Sequence, residues 1–268
     1  LSSKLSSIYL VISFKLLYIF KVITYILFYH KFNLNRNLYV KILIGVDIMQ
    51  KISFANFNIE YNDKDVNYID SLIQELKSKY QSIMDFFNLT SINHPISIKL
   101  WDDLDEYRNY FNNKMKKDNK KVSDWEVGRA TNNSKECRID LLSFSERIKC
   151  QGHQNDNIED LIKVLIHEFV HICYFSSNNH KDSAVWFAEG LATYLAEQNN
   201  YPLFSSSLED IIAGKATYNN YYCMVKYLID NYDKEYILAL VQSKELQEKI
   251  TTDIYYKALE STTKKRGK

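Results

Sequence analysis

Residues 161–175 read LIKVLIHEFVHICYF, an apolar run with two histidines and a glutamate set into its middle. Apolar side chains recur at three- and four-residue spacing, which makes the run a helix buried over most of its circumference. A buried imidazole or carboxylate is costly unless it is paired or coordinated. The fold around this helix must therefore bring partners to His167, Glu168 and His171. Positions four apart lie about 40° from each other around a helix axis, so His167 and His171 can aim their rings at one ion. Glu168, about 100° away, cannot join them as an equivalent ligand, but its carboxylate can lie against a water held at that ion.

A second run, AVWFAEGLATYLAEQ at 184–198, reads as another helix carrying Glu189 among small and apolar residues. A carboxylate flanked by Trp186, Phe187, Leu191 and Tyr194 calls for a cation, the alternative being a glutamate on a solvated face. Gly190 and Ala192 are expected to let this helix approach the one bearing the histidines. Two imidazoles and one carboxylate leave the fourth position of a tetrahedral ion open, the ligand count of a catalytic zinc site. His180, between the two helices, is expected at the surface, because a fourth protein ligand would close that position. Zinc follows from ligand type, and other divalent ions take similar sets.

Around these helices the pattern is α+β. Residues 52–61 alternate as a strand, and 66–87 carry Ile69, Leu72, Ile73, Leu76, Tyr80 and Ile83 at helical spacing. Pro95 precedes a short strand at 96–100, and Asp102-Asp103 opens a helix through Phe111. The charged stretch 114–121 reads as a solvated loop, and 127–144 as a hairpin turning at Asn132-Asn133-Ser134. Helices are expected at 158–175, 184–197, 207–213, 218–231, 234–242 and 245–259. The result is a small N-terminal sheet with an active-site helix and a mostly helical C-terminal half.

HEFVH, with seventeen residues between His171 and the Glu189 of WFAEGLA, resembles the gluzincin peptidases, in particular the peptidase MA-like group and more distantly the aminopeptidase N-like enzymes. The resemblance implies a zincin-like fold and one zinc per chain. It makes His167, His171 and Glu189 the ligands, and Glu168 the general base on water at the metal. ISIKLWDDLDEYRNYF resembles the strand and helix of those domains. VGRAT and CRIDLLSF resemble their hairpin, whose edge strand holds an extended peptide or protein substrate. An added peptide strand satisfies its own backbone groups on such an edge; an ordinary core-facing strand is the other reading of residues 138–143. The resemblance also implies an oxyanion-binding tyrosine from a downstream helix. Tyr218 matches that position best and Tyr222, one turn on, is the alternate, though with 21 tyrosines in the chain aromatic residues at this spacing also read as core.

The implied activity is zinc-dependent hydrolysis of peptide bonds. The GxMEN loop that anchors a free amine in the aminopeptidases is absent from the sequence, which favours an endopeptidase. A catalytically inactive zinc-binding domain serving as a binding or regulatory module is the alternative. An interaction protein on a membrane anchor, with HEFVH accidental, is a third reading.

With Lys+Arg 34 against Asp+Glu 33, the chain has no basic excess of the kind nucleic acid demands. Its four cysteines include no CxxC pair, so they read as reduced, mostly buried thiols, with two disulfides as the alternative in a secreted protein. Residues 8–29 are apolar and long enough to cross a bilayer, but Lys15 and Lys21 interrupt them, each at roughly 2.5–3.5 kcal/mol at the centre of a span. The segment reads as a weak span or interfacial helix, or as translated sequence ahead of a start at Met49. The residues before Met49, Ile44-Gly45-Val46-Asp47-Ile48, can be encoded with an AGGAG element of a bacterial ribosome-binding site. Residues 1–48 carry a net +5, leaving −4 for a working domain at 49–268. Such a domain would be cytoplasmic; with 8–29 genuine, the protein would be membrane-anchored or secreted.

Overall fold

The computed structural model describes residues 49–116, 121–179, 181–198 and 204–266; the expectations for residues 1–48 and for His180 lie outside them. The chain divides after Gln50, and every element below belongs to the second unit except the first residue of β1.

Alternation at 52–61 proves to be two strands, β1 (Gln50–Phe54) and β2 (Phe57–Tyr61), separated by a turn. Ala55 takes a left-handed φ of 45° there, and Ser53 Oγ donates to Asn58 Oδ1 at 2.7 Å across the turn. Alanine in that conformation carries no turn signature, so the break is invisible in the alternation. With β3 (Ile96–Trp101), β4 (Gly128–Asn132) and β5 (Cys137–Leu142), they form a five-stranded sheet in the order β1-β2-β3-β5-β4. β2, β3 and β5 run parallel, and β4 pairs antiparallel to β5 with Gly128 opposite Leu141 and Asn132 opposite Cys137. The candidate edge at residues 138–143 is thus corrected: β5 is interior, with Ile139, Leu141 and Leu142 wholly buried, and β4 is the edge.

Nine helices are present among the described residues: α1 (Val66–Phe86), α2 (Leu104–Met115), α3 (Phe144–Arg147), α4 (Ile158–Ser177), α5 (Val185–Leu195), α6 (Leu208–Ile212), α7 (Tyr218–Asn231), α8 (Lys234–Gln242) and α9 (Lys244–Arg266). The short α3 was not expected, α9 runs past the anticipated end at 259, and the loop expected from 114 begins two residues later, after Met115. No helix among the described residues is long and apolar enough to cross a membrane.

The period-2 alternation of the strands sorts side chains to two faces. Ile96, Ile98 and Leu100 of β3 join Ile139 and Leu141 of β5 in the main core, which α1, α4, α5 and α7 to α9 complete. Trp101 and Leu142 point the other way and pack with Tyr107 and Phe111 of α2 in a smaller cluster. Phe169 of α4 anchors the main core, its ring 5.7 Å from Phe57 and stacked 5.5 Å from Tyr80. All four cysteines are buried and free, so the two-disulfide alternative fails.

Candidate metal centre

Asn157 starts α4 with a capping box: its Oδ1 accepts from the N–H groups of Glu159 and Asp160, and Asp160 Oδ2 accepts from Asn157 N. That fixes where the helix begins and hence which face carries His167 and His171. The start of α5 is held by Gln247 of α9, whose Oε1 accepts from Ala184 N at 2.7 Å while its Nε2 donates to Tyr174 Oη at 2.9 Å. Trp186 Nε1 donates to Thr251 Oγ1 at 3.0 Å. These contacts set the height of Glu189 against the two histidines.

The three ligand candidates converge. His167 Nε2 lies 3.0 Å from His171 Nε2, and Glu189 Oε2 lies 3.2 Å from the first and 3.5 Å from the second. Ligands about 2.0–2.1 Å from a tetrahedral zinc are separated by roughly 3.3–3.4 Å along each edge, so the three atoms stand at the spacing of three corners. Two ring nitrogens and a carboxylate oxygen turned to one point bring electron pairs together. A cation at that point offsets their repulsion. The residues present therefore fit a divalent metal. Burial raises the pKa of Glu189, but the neighbouring His171 and His167 outweigh it and hold the carboxyl well below the usual range. It is anionic, as a ligand must be.

Gly190 does not face α4 as expected. A Cβ there would stand 2.6 Å from the backbone oxygen of Tyr221 and 2.6 Å from Val225 Cγ2. The glycine serves the α5–α7 contact, which brings Tyr218, at the start of α7, close to the ring of His167.

Glu168 is buried between α4 and the edge strand, and Ala130 N–H hydrogen-bonds its carboxylate. Burial first, then the charges of Glu189 and Glu126, push its pKa up to about 7 against the opposing effects of His167 and the Ala130 N–H. A carboxylate held there is poised to take and return a proton near neutral pH. Gly128 makes the approach possible, since a Cβ on it would sit 2.7 Å from Val164 Cγ1 and 3.1 Å from Glu168 Oε1.

Leu142 N donates to Val127 O, and Asn133 N to Glu136 O. Alternation along an antiparallel ladder then turns the backbone groups of Gly128, Ala130 and Asn132 to the edge away from β5, where the Ala130 N–H is taken by Glu168. That edge borders a cleft of about 950 Å³ that contains the three ligand candidates and Glu168. The ring of Tyr218 also lines the cleft, 5.8 Å from the His167 ring and 6.0 Å from that of Trp125. Tyr218 is 38% exposed, yet desolvation, followed by the charges of Glu189, Glu168 and Glu126, raises its pKa, so its hydroxyl keeps its proton. Tyr222, the alternate, is not part of the cleft wall and packs 5.8 Å from Tyr194.

Several cleft residues carried no readable sequence signal. Trp125 is 48% exposed at the rim, and its carbonyl accepts from His153 Nε2 at 3.0 Å. His153 Nδ1 lies 2.7 Å from Asp156 Oδ2, which also holds the buried Arg147 guanidinium. Glu126 and Arg129 form a two-bonded pair at 2.8 and 2.7 Å. Gln198, just past α5, places Oε1 2.7 Å from His167 Nδ1. Their meeting depends on how loops and elements come together, which periodicity does not encode.

Comparison with protein-family models, with curated proteins and with solved structures gives no match, so the reading of the site rests on its own geometry.

Proposed function

We propose that the protein is a zinc-dependent peptidase of the gluzincin type, with a zincin-like fold, that cuts within extended peptide chains. The observation that carries this reading is the convergence of His167, His171 and Glu189 on one point beside a buried, proton-accepting Glu168. The open backbone of β4 supports a peptide substrate, because a strand added there is aligned without any particular side chain.

When bound, a divalent cation at the three donors supplies Lewis acidity to the water and to the scissile carbonyl. Glu168 takes a proton from the attacking water as its oxygen bonds to the carbonyl carbon. The same carboxyl then delivers that proton to the nitrogen as the C–N bond breaks, yielding a carboxylic acid and an amine, which settle as carboxylate and ammonium. Tyr218 donates its hydroxyl hydrogen to the carbonyl oxygen as negative charge gathers there. The backbone of β4 orients the chain so that the carbonyl faces this tyrosine.

The test is digestion of a defined peptide pool by the zinc-loaded full chain and by Glu168→Gln, read by mass spectrometry. Internal cleavage by the wild type, absent from a variant that still holds zinc, is the expected result. Equal cleavage by both would remove Glu168 from the chemistry. Zinc binding with no cleavage by either would leave the inactive binding module as the better reading.

A further inference from the structure

The ligand role of His167 depends on which ring nitrogen carries the proton. Among the described residues one group reaches its Nδ1, the side chain of Gln198 at 2.7 Å, and the atom presented is the amide oxygen Oε1. A carbonyl oxygen only accepts, so this contact requires hydrogen on Nδ1 and leaves Nε2 with a free electron pair turned to Glu189 and His171. The second histidine has no such partner among the described residues: His171 Nδ1 is buried and unpaired there, and its ring stacks 6.2 Å from that of Phe175. Among the described residues, orientation by hydrogen bonding therefore falls on one side chain.

The way α5 ends explains how Gln198 reaches this point. Gln198 N donates to Thr193 O, and Glu197 N to Tyr194 O, the paired bonds of a Schellman stop. That stop needs a left-handed residue, a role usually taken by glycine. Here Glu197 takes it with φ 54°, which costs about 1–2 kcal/mol for a residue with a Cβ. Its carboxylate is held by Lys79 of α1 at 2.5 Å. The stop folds the chain back over the helix, so α5 supplies Glu189 from its body and Gln198 from its turn.

We infer that Gln198 is the positioning residue of the metal centre, fixing His167 as the Nδ1–H tautomer so that Nε2 is available to the ion. This rests on the metal reading of the site. A neutral amide in this place orients the imidazole without adding the negative charge that a carboxylate partner would add.

The experiment has two readouts on the full chain. The first is zinc affinity, by competition with a chromophoric chelator. Gln198→Ala is expected to weaken binding about 10- to 100-fold, the usual loss for an outer partner, and Gln198→Glu to hold zinc at least as tightly as wild type. The second is the imidazole ¹⁵N spectrum of the metal-free protein, with the His167 signal assigned by its loss in His167→Gln. Wild type and Gln198→Glu should show the Nδ1–H form, and Gln198→Ala a mixture. Zinc affinity within threefold of wild type in Gln198→Ala, or an Nε2–H ring in metal-free wild type, would overturn the proposal. A wild type that binds no zinc would sink the metal reading, and the spectrum would separate that failure from a wrong assignment of Gln198.

Discussion

Gly128 and Glu168 approach so closely that a Cβ on the glycine would lie 3.1 Å from the carboxylate oxygen Oε1. The edge strand and the histidine-bearing helix are in contact at this point because one residue has no side chain. Replacing it tests whether the position of Glu168 matters to turnover apart from its identity. Gly128→Val is expected to displace the carboxylate and lower kcat/KM about 10- to 100-fold, with zinc content unchanged. Peptide kinetics beside metal analysis check this; unaltered kcat/KM would show that Glu168 tolerates the shift.

Tyr218 and Tyr222 lie one turn apart on α7, and only the first faces the cleft. Removing a single oxyanion donor costs about 10²–10³ in kcat. Tyr218→Phe should show that loss with KM little changed, and Tyr222→Phe should behave as wild type. The reverse order of effects, measured on one peptide substrate, would reassign the donor.

Arg147 is 3% exposed and its only ion-pair partner among the described residues is Asp156, which also receives His153. Asp156→Ala leaves the guanidinium buried without its counter-charge, a change worth about 3–5 kcal/mol. Urea unfolding should show a loss of that size, and the double variant Arg147→Met/Asp156→Leu should recover much of it. A single variant within about 0.5 kcal/mol of wild type, the range of ordinary surface changes, would mean that the pair is not buried in solution.

The parts of the site legible in the sequence are those set by helical periodicity. His167 and His171 are four apart on one helix, Glu189 stands out on an apolar one, and both helices formed where the spacing put them. Tyr218 was a candidate among several, and the fold supplied the reason to prefer it. What stayed hidden depends on how elements meet. Gly190 reads as a small residue on a helix, but whether it faces α4 or α7 is a matter of tertiary packing. The exposed edge followed the same rule: the hairpin at 127–144 was readable, yet its inner strand is fixed by β3 pairing across forty intervening positions, Ile96 with Cys137. Gln198 belongs to a run that was plainly helical, and its contact arises from the left-handed turn after the helix, taken by a glutamate where glycine would have signalled it.

The account stands on one ion at three side chains. Its most direct test is the metal content of the full chain after dialysis against metal-free buffer with a trace of zinc, measured by elemental mass spectrometry for wild type, His171→Ala and Glu189→Ala. The account predicts about one zinc per wild-type chain, as a single three-ligand site requires, and little or none in either variant at equal folded content. Metal-free wild type, or variants that keep their zinc, would contradict it.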